Sequence, residues 1–244
     1  MSLAAHRVTV LSASGALAAA LTGTVAVAAG WSWGILLVAF FLSGIGLSRI
    51  GARRKAALVD AIVAKTRGRD GWQVLANGGL FAAAAVASIV SPASVWLAIG
   101  VGALAASAAD TWATEVGTLV GGEPRSIVSG KTVPPGTSGG VTLAGSGAAV
   151  GGAAFMGIAA SLVGWPVALH VAIVSGLAGA LADSLAGALV QERRWCSACR
   201  APTERTVHVC GTRTGHVGGI AGFDNDVVNV LCSFVGALVA LLMS

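Results

Sequence analysis

Seven apolar runs, each close to the length that an α-helix needs to cross a bilayer, constrain what this chain can fold into. They are Val8–Ala29, Gly34–Ile50, Trp72–Val90, Ser94–Leu119, Val141–Val163, Pro166–Val190 and Val227–Met243. Only 10% of the residues are charged and the mean hydropathy is +0.84. A water-soluble domain does not need so much apolar surface. We therefore predict an all-α, polytopic membrane protein with about seven transmembrane helices, and we treat residues 1–244 as a single transmembrane domain.

The connections between the runs alternate between short uncharged turns and long charged segments. All 15 Lys and Arg lie near the N-terminus, at Arg49, or in the long segments Gly51–Gly71, Val120–Gly140 and Gln191–Phe223. Positive residues favour the cytoplasmic side of a membrane, so we predict a cytoplasmic N-terminus and cytoplasmic long connections. The same rule accounts for the net charge of +5 without any nucleic-acid partner. Four tryptophans fall at the predicted outer boundary, where indole rings prefer to lie: Trp31, Trp33, Trp96 and Trp165.

This topology divides the chain into two parts. Residues 1–71 comprise two spans and a basic loop, and residues 72–244 comprise a catalytic core with cytoplasmic loops 120–140 and 191–223. The basic loop has the pattern of an amphipathic helix on an anionic membrane surface. The alternative is that one of its cations, among them Lys55, Lys65 and Arg67, reaches a phosphate. Arg69, nearest the membrane end, is the leading candidate.

Ionisable residues inside the spans are the main functional signal, because a charge at membrane depth costs a few kcal/mol on insertion scales (about 2.5–3.5 kcal/mol). Asp110 and Glu115 lie in the fourth run, Asp183 lies in the sixth, and Asp224-Asn225-Asp226 opens the seventh. Asn77 lies about one turn into the third run. The predicted topology places all of these side chains in the cytoplasmic half of the membrane, so we expect them to meet at one face.

Part of the fourth run recurs in the sixth. Leu104–Glu115 aligns with Leu177–Ala188, which pairs Asp110 with Asp183 and Thr111 with Ser184. Both runs point the same way, so we predict a parallel internal repeat of spans four and six. Chance similarity between alanine-rich helices is the alternative. Ala188 stands where the first copy has Glu115, so the predicted site is asymmetric.

The acidic and amide side chains suit Mg²⁺, which takes oxygen ligands and is commonly shared between carboxylates and substrate phosphates. The predicted metal ligands are Asp110, Glu115, Asp183, Asp224 and Asp226. Asn225 and Asn229, one turn apart, are predicted phosphate or nucleotide contacts. Asp224 has a second interpretation as the N-cap of the last helix. A carboxylate proton relay, as in transporters, is the competing function for the whole set.

A glycine-rich segment with one lysine precedes the fifth run. Its polar residues are Lys131, Thr137, Ser138, Gly139 and Gly140, and they stand directly before a helix start. Backbone N–H groups beside glycines and the positive end of a helix bind phosphate well, so we predict a phosphate-binding loop. It is not a Walker motif, because the lysine precedes the glycines. A flexible loop followed by a small-residue packing helix is the alternative.

The last long connection carries Cys196-Ser-Ala-Cys199 and, further on, His208-Val-Cys210. This spacing is similar to that of a compact zinc knuckle, and reduced cytoplasmic cysteines are available to bind metal. We predict a structural Zn²⁺ at these four residues, with a disulfide as the alternative.

Several strings resemble an integral-membrane family that includes plant phytyl-phosphate kinase. They are SAADTWATEVG, PPGTSGGVT, GALADSLAG and DNDVVN, and the resemblance extends from Gln73 to the C-terminus, about 170 residues. It implies CTP-dependent phosphorylation of an isoprenyl monophosphate to the diphosphate, and distant kinship with phytol and dolichol kinases. Carried onto this chain, the polar motif residues are Asn77, Asp110, Thr111, Glu115, Lys131, Thr137, Ser138, Asp183, Asp224, Asn225, Asp226 and Asn229.

The sequence and the resemblance together predict a Mg²⁺-dependent phosphotransferase in the cell membrane, with its active site on the cytoplasmic side. The expected partners are CTP or another nucleoside triphosphate, an isoprenyl monophosphate and the lipid bilayer. Two alternatives stay open: a nucleotidyltransferase that makes a CDP-isoprenoid, and a cation-coupled transporter. The apolar outer half of the spans counts against transport. Association into a homodimer through the Gly- and Ala-rich faces is also open.

Overall fold

The computed structural model describes residues 11–60, 62–64, 68–120 and 122–244. Within these residues the chain forms eight helices and five short strands. The helices are α1 Ala13–Ala29, α2 Trp31–Arg49, α3 Ala52–Val59, α4 Gly71–Val90, α5 Val95–Val120, α6 Leu143–Leu162, α7 Leu169–Leu189 and α8 Asn225–Leu242. The strands are β1 Arg125–Ser126, β2 Gly140–Val141, β3 Arg193–Cys196, β4 Ala201–Thr203 and β5 Gly215–Gly218.

The prediction of a mostly helical membrane protein is confirmed. Six helices (α2, α4, α5, α6, α7 and α8) are long and apolar enough to span a bilayer. α1 is apolar but only 17 residues long in the described chain, and the first residues of its predicted span, from Val8, lie outside the described part. The cytoplasmic orientation of the N-terminus and the internal repeat stay predictions.

Helix α5 is the centre of the bundle, packed against α2, α4, α6, α7 and α8. Every residue from Gly100 to Ala109 is buried, and nearly all of them are small. Small residues let helix backbones approach closely. Close packing matters in a membrane because the hydrophobic effect does not favour helix association in lipid. At the crossing with α8, a Cβ added to Gly102 would lie 2.4 Å from the carbonyl oxygen of Gly236.

Glycine contacts also establish the directions of the neighbours of α5. On α7, Gly176 faces Ala105 and Gly179 faces Ala106, so residue numbers rise together and the two helices run parallel. On α6, Gly145 faces Ala113 and Gly152 faces Ala108, so that helix is antiparallel to α5. The alternation brings the three long connections to one end of the bundle.

An aromatic cluster fills the opposite end. Trp33 packs against Phe81 with ring centroids 5.0 Å apart and against Trp165 at 4.6 Å. Trp33 is 3% exposed and Trp165 is 7% exposed. These two indoles pack inside the protein rather than facing lipid, whereas Trp31 is 77% exposed. Their position at the outer membrane boundary stays a prediction.

The strands belong to the long connections and were not predicted. β1 and β2 pair antiparallel between α5 and α6, and β4-β3-β5 form an antiparallel sheet between α7 and α8. Each strand is two to four residues long, too short to show a hydrophobic period in the sequence.

Candidate active site at one end of the bundle

A cavity of about 910 Å³ opens at the end where α5 and α7 finish and α4, α6 and α8 begin. Most of the predicted site residues line it: Asn77, Asp110, Thr111, Glu115, Thr137, Ser138, Gly139, Gly140, Asp183, Asp224, Asn225, Asp226 and Asn229. These residues come from four helices and one loop that are far apart in sequence. Their convergence at one face agrees with the arrangement expected from the sequence.

Two carboxylates face each other across the parallel helices α5 and α7. The side chains of Asp110 and Asp183 lie within interaction distance, and Oδ1 of Asp183 is buried without a hydrogen-bond partner in the described part of the chain. Two adjacent buried carboxylates repel each other unless a proton or a cation lies between them. This pair has the donor set that a divalent cation prefers.

The start of α8 supplies further oxygen donors. Asp224 is the N-cap of α8, and its Oδ1 accepts hydrogen bonds from the backbone N–H groups of Asp226 at 3.0 Å and Val227 at 3.2 Å. The N-cap interpretation of Asp224 is therefore confirmed. Asn229, one turn into the helix, is 8% exposed and lines the cavity.

The glycine-rich loop rests on the last turn of α7. Gly139 has φ +75°, and a Cβ added there would lie 2.5 Å from the Cβ of Ala188 and 2.7 Å from the carbonyl oxygen of Ser184. The loop therefore occupies the space beside Ala188, the residue that aligns with Glu115 in the predicted repeat. Thr142 then caps α6, whose first turn lines the same cavity.

Lys131 lies away from this group. It is exposed, does not line the cavity, and follows a turn in which its carbonyl accepts a hydrogen bond from the Ser126 N–H at 2.9 Å. The bridge between Arg125 and Thr132 closes this turn outside the cavity. The structure does not bring Lys131 to the other predicted phosphate contacts.

Lys55 supplies a cation at the cavity instead. It is 7% exposed, forms an ion pair with Glu115, and its Nζ donates a hydrogen bond to the Leu47 carbonyl at 2.8 Å. The remainder of α3 agrees better with the expected surface helix, since Arg53 and Arg54 are exposed. Glu115 lines the cavity, but Lys55 already neutralises much of its charge.

Arg69 is a further cation of the cavity wall, which Arg49 and Arg54 also line. A Cβ added to Gly44 would lie 3.1 Å from Arg69 Nη2, so the absent side chain of that glycine makes room for the guanidinium. Burial lowers the pKa of Arg69 from its ordinary value, and the nearby Glu115 opposes that shift. The other two candidates of the basic loop, Lys65 and Arg67, lie outside the described residues.

Glu204 is a cavity residue that the sequence did not reveal. Its carboxylate accepts hydrogen bonds from the Ser138 hydroxyl and, at 2.9 Å, from Gln191 Nε2. Burial raises the pKa of Glu204 above its ordinary value, while these hydrogen bonds lower it. In the sequence, Glu204 lies in a charged connection close to the predicted zinc ligands. Ser138 is 66 residues away, so no local pattern predicts the contact between the two.

The four predicted zinc ligands do come together. Cys196, Cys199, His208 and Cys210 each offer a ligand atom, and these atoms all lie within 4.8 Å of one another. They belong to the β3–β5 module that follows α7.

The fold and the site define a multi-pass integral membrane protein with a polar cavity at one end of its helix bundle. The chain belongs to the family described as integral membrane protein DUF92, whose sequence pattern matches residues 1–237. No solved structure matches the chain.

Two plant proteins are among its relatives. Protein PGR of Arabidopsis thaliana is 31% identical over 265 residues, which cover 95% of this chain and 89% of that protein. Protein VTE6, chloroplastic, of the same plant is 29% identical over 247 residues, which cover 97% of this chain and 66% of that protein. An uncharacterized membrane protein of Methanocaldococcus jannaschii is 30% identical over 88% of this chain and 77% of its own length. The resemblance to the family that includes phytyl-phosphate kinase is thereby confirmed.

Proposed function

We propose that this protein is a CTP-dependent kinase that converts an isoprenyl monophosphate to the diphosphate at the cytoplasmic membrane face. The observation that carries the proposal is the facing pair Asp110 and Asp183, in one cavity with a glycine-rich loop and a half-buried arginine, Arg69. Kinship with VTE6 supports the isoprenoid substrate class.

Mg²⁺ fits the oxygen donors of this cavity. Asp110, Asp183 and Asp226 would hold it, and the unpartnered Oδ1 of Asp183 offers a coordination position that no described hydrogen bond uses. A cation held by these residues would supply positive charge that offsets the negative charge developing in phosphoryl transfer. Glu115 is the weakest candidate ligand because Lys55 holds it in an ion pair.

The protein groups around the metal position supply binding and orientation. In the loop Thr137–Gly140, the N–H groups of Thr137 and Gly140 donate to the carbonyls of Pro134 and Thr137. The N–H groups of Ser138 and Gly139 and the first turn of α6 suit the nucleotide phosphates. Arg69 suits the acceptor phosphate, since its planar guanidinium matches phosphate oxygens in a bidentate way. In this arrangement Lys131 plays no part.

The reaction needs no strong general base. An oxygen of the isoprenyl monophosphate attacks the γ-phosphorus of CTP, the bond to the β-phosphate oxygen breaks, and CDP leaves. A phosphate monoester is already anionic at neutral pH, so positioning and charge stabilisation supply the acceleration. The isoprenyl chain lies among the small-residue helices.

Product analysis tests the reaction. We expect the purified protein in lipid nanodiscs, given Mg-CTP and geranylgeranyl or phytyl monophosphate, to yield CDP and the isoprenyl diphosphate. Pyrophosphate release with a CDP-isoprenoid would replace the kinase by a nucleotidyltransferase. No nucleotide consumption with any isoprenyl phosphate would reject both enzymes.

Two substitutions test the site. We expect Asp110→Asn and Asp183→Asn each to lower turnover at least 100-fold while the protein still inserts and purifies. Glu123→Gln is the matched control, because Glu123 is an exposed carboxylate outside the cavity lining. Near-normal activity of either cavity variant would remove that residue from the proposed machinery.

A further inference from the structure

The connection between α7 and α8 is a small sheet module outside the helix bundle. β3 pairs with β4 on one side and with β5 on the other. The tight turn between β3 and β4 carries Cys196 and Cys199, and a second turn, closed by the bridge between Val207 and Arg213, carries His208 and Cys210. Two separate turns therefore present three cysteine sulfurs and one imidazole nitrogen to one point.

The distances between these ligands suit one tetrahedral metal ion. Cys196 Sγ lies 3.6 Å from Cys210 Sγ, and His208 Nδ1 lies 3.2 Å from Cys210 Sγ. Zn–S bonds near 2.3 Å and Zn–N bonds near 2.0 Å place tetrahedral ligand atoms about 3.5–3.8 Å apart. The backbone N–H of Cys199 also points to Cys196 Sγ at 3.5 Å, which would stabilise a thiolate there.

Within the described part of the chain, the polar contact of the His208 side chain is to Cys210 of the cluster. His208 is 5% exposed, and its Nε2 is buried with no hydrogen-bond partner in the described chain. All four cysteines of the chain are free thiols in this structure, and Cys232 is in α8, away from the module. Three sulfurs and one imidazole nitrogen in a closed arrangement select zinc among common metals.

We propose that Cys196, Cys199, His208 and Cys210 bind one structural Zn²⁺, and that this ion holds strand β4 so that Glu204 reaches the wall of the cavity. Cys196 pairs with Ala201 in the β3–β4 register, and Glu204 directly follows β4. The inference concerns metal content and local order, and it does not depend on the reaction proposed above.

Glu204 is the structural link between the zinc module and the bundle. Its backbone N–H donates to the Ile62 carbonyl at 2.8 Å, and its carboxylate accepts from the Ser138 hydroxyl and from Gln191. A shift of β4 would break these contacts together, because they all converge on one residue. The ion therefore orders the glycine-rich loop through Glu204.

Metal analysis tests the binding site. The protein is purified with a Strep tag, without chelator and in the presence of a mild reductant, and zinc is measured by mass spectrometry. We expect about one zinc per chain in the wild type and at least a tenfold loss in Cys196→Ser, Cys210→Ser and His208→Ala. Cys232→Ser and His170→Ala are the matched controls and should keep their zinc.

Stripping the metal from folded wild-type protein avoids variants that fail to fold. Strong chelation should speed amide exchange at least tenfold in segments 201–204 and 137–140, leave the centre of α5 unchanged, and be reversed by added zinc. A wild-type protein without zinc, with a non-reduced mass lowered by about 2 Da, would identify a disulfide and overturn the metal site. Unchanged exchange after zinc removal would overturn the link through Glu204.

Discussion

The buried ion pair between Lys55 and Glu115 leads to the sharpest stability prediction. The Lys55 side chain is 8% exposed and that of Glu115 is 22% exposed. Removing one partner leaves the other charge buried and unpaired, which costs about 3–5 kcal/mol. Because Glu115 keeps some solvent contact, we take about 3 kcal/mol, the lower end of that range, for Glu115→Gln.

This loss converts to a measurable shift in melting temperature. For a chain of this size, 1 kcal/mol corresponds to about 2–4 °C, so Glu115→Gln should lower Tm by about 6–12 °C. The double variant Lys55→Met/Glu115→Gln should recover most of this loss, since no unpaired charge remains. It still lacks the bond from Lys55 to the Leu47 carbonyl, which leaves it about 2–4 °C below the wild type.

The assay is thermal unfolding in detergent micelles, followed by far-UV circular dichroism in metal-free buffer. Arg53→Met is the matched control, because Arg53 is an exposed cation on the same short helix. If Glu115 served only as a metal ligand, its neutralisation would relieve repulsion among carboxylates and leave Tm unchanged or higher. That result, or a double variant no more stable than the single one, would refute the structural role of the pair.

Three further predictions follow from the packing and from Glu204. Gly139→Ala should lower both activity and nucleotide binding at least tenfold, because its Cβ would overlap Ala188, whereas Gly147→Ala, with open space around it, should not. Gly102→Ala should cost about 1–3 kcal/mol in unfolding free energy, measured beside Gly23→Ala, which meets no neighbour within 4 Å. Burial raises the pKa of Glu204, so the folded state binds that proton more tightly and stability should fall as pH rises from the ordinary glutamate pKa to the raised one. Measured as Tm against pH, this decline should be smaller in Glu204→Gln than in the wild type. An unchanged slope would contradict the assignment of the decline to Glu204.

The helices were predictable because their signal is local. A run of apolar residues predicts a span without knowledge of its neighbours, and the N-cap at Asp224 follows from a few adjacent residues. The proximity of Asp110 and Asp183 was also predictable from the sequence, because the alternating direction of the spans sets the depth of each carboxylate in the membrane. The cytoplasmic orientation assumed for that depth is still a prediction.

The parts that sequence reasoning missed depend on contacts between distant segments. Lys55 looked like one cation among several on a surface helix, yet a partner 60 residues away holds it in the interior. Lys131 looked well placed beside the glycines, but a turn closed by backbone hydrogen bonds carries it outside the cavity. No periodicity or motif encodes such pairings, because they are set by how the loops fold back on the bundle.

The aromatic cluster of Trp33, Phe81 and Trp165 has a consequence for the energetics of the membrane itself. A protein with several carboxylates at membrane depth risks becoming a path for protons down the electrochemical gradient. Three packed rings fill the far end of the bundle with apolar side chains, on the side away from those carboxylates. The bundle thus combines a polar cavity at one end with apolar packing at the other, and this packing opposes proton passage along the helices.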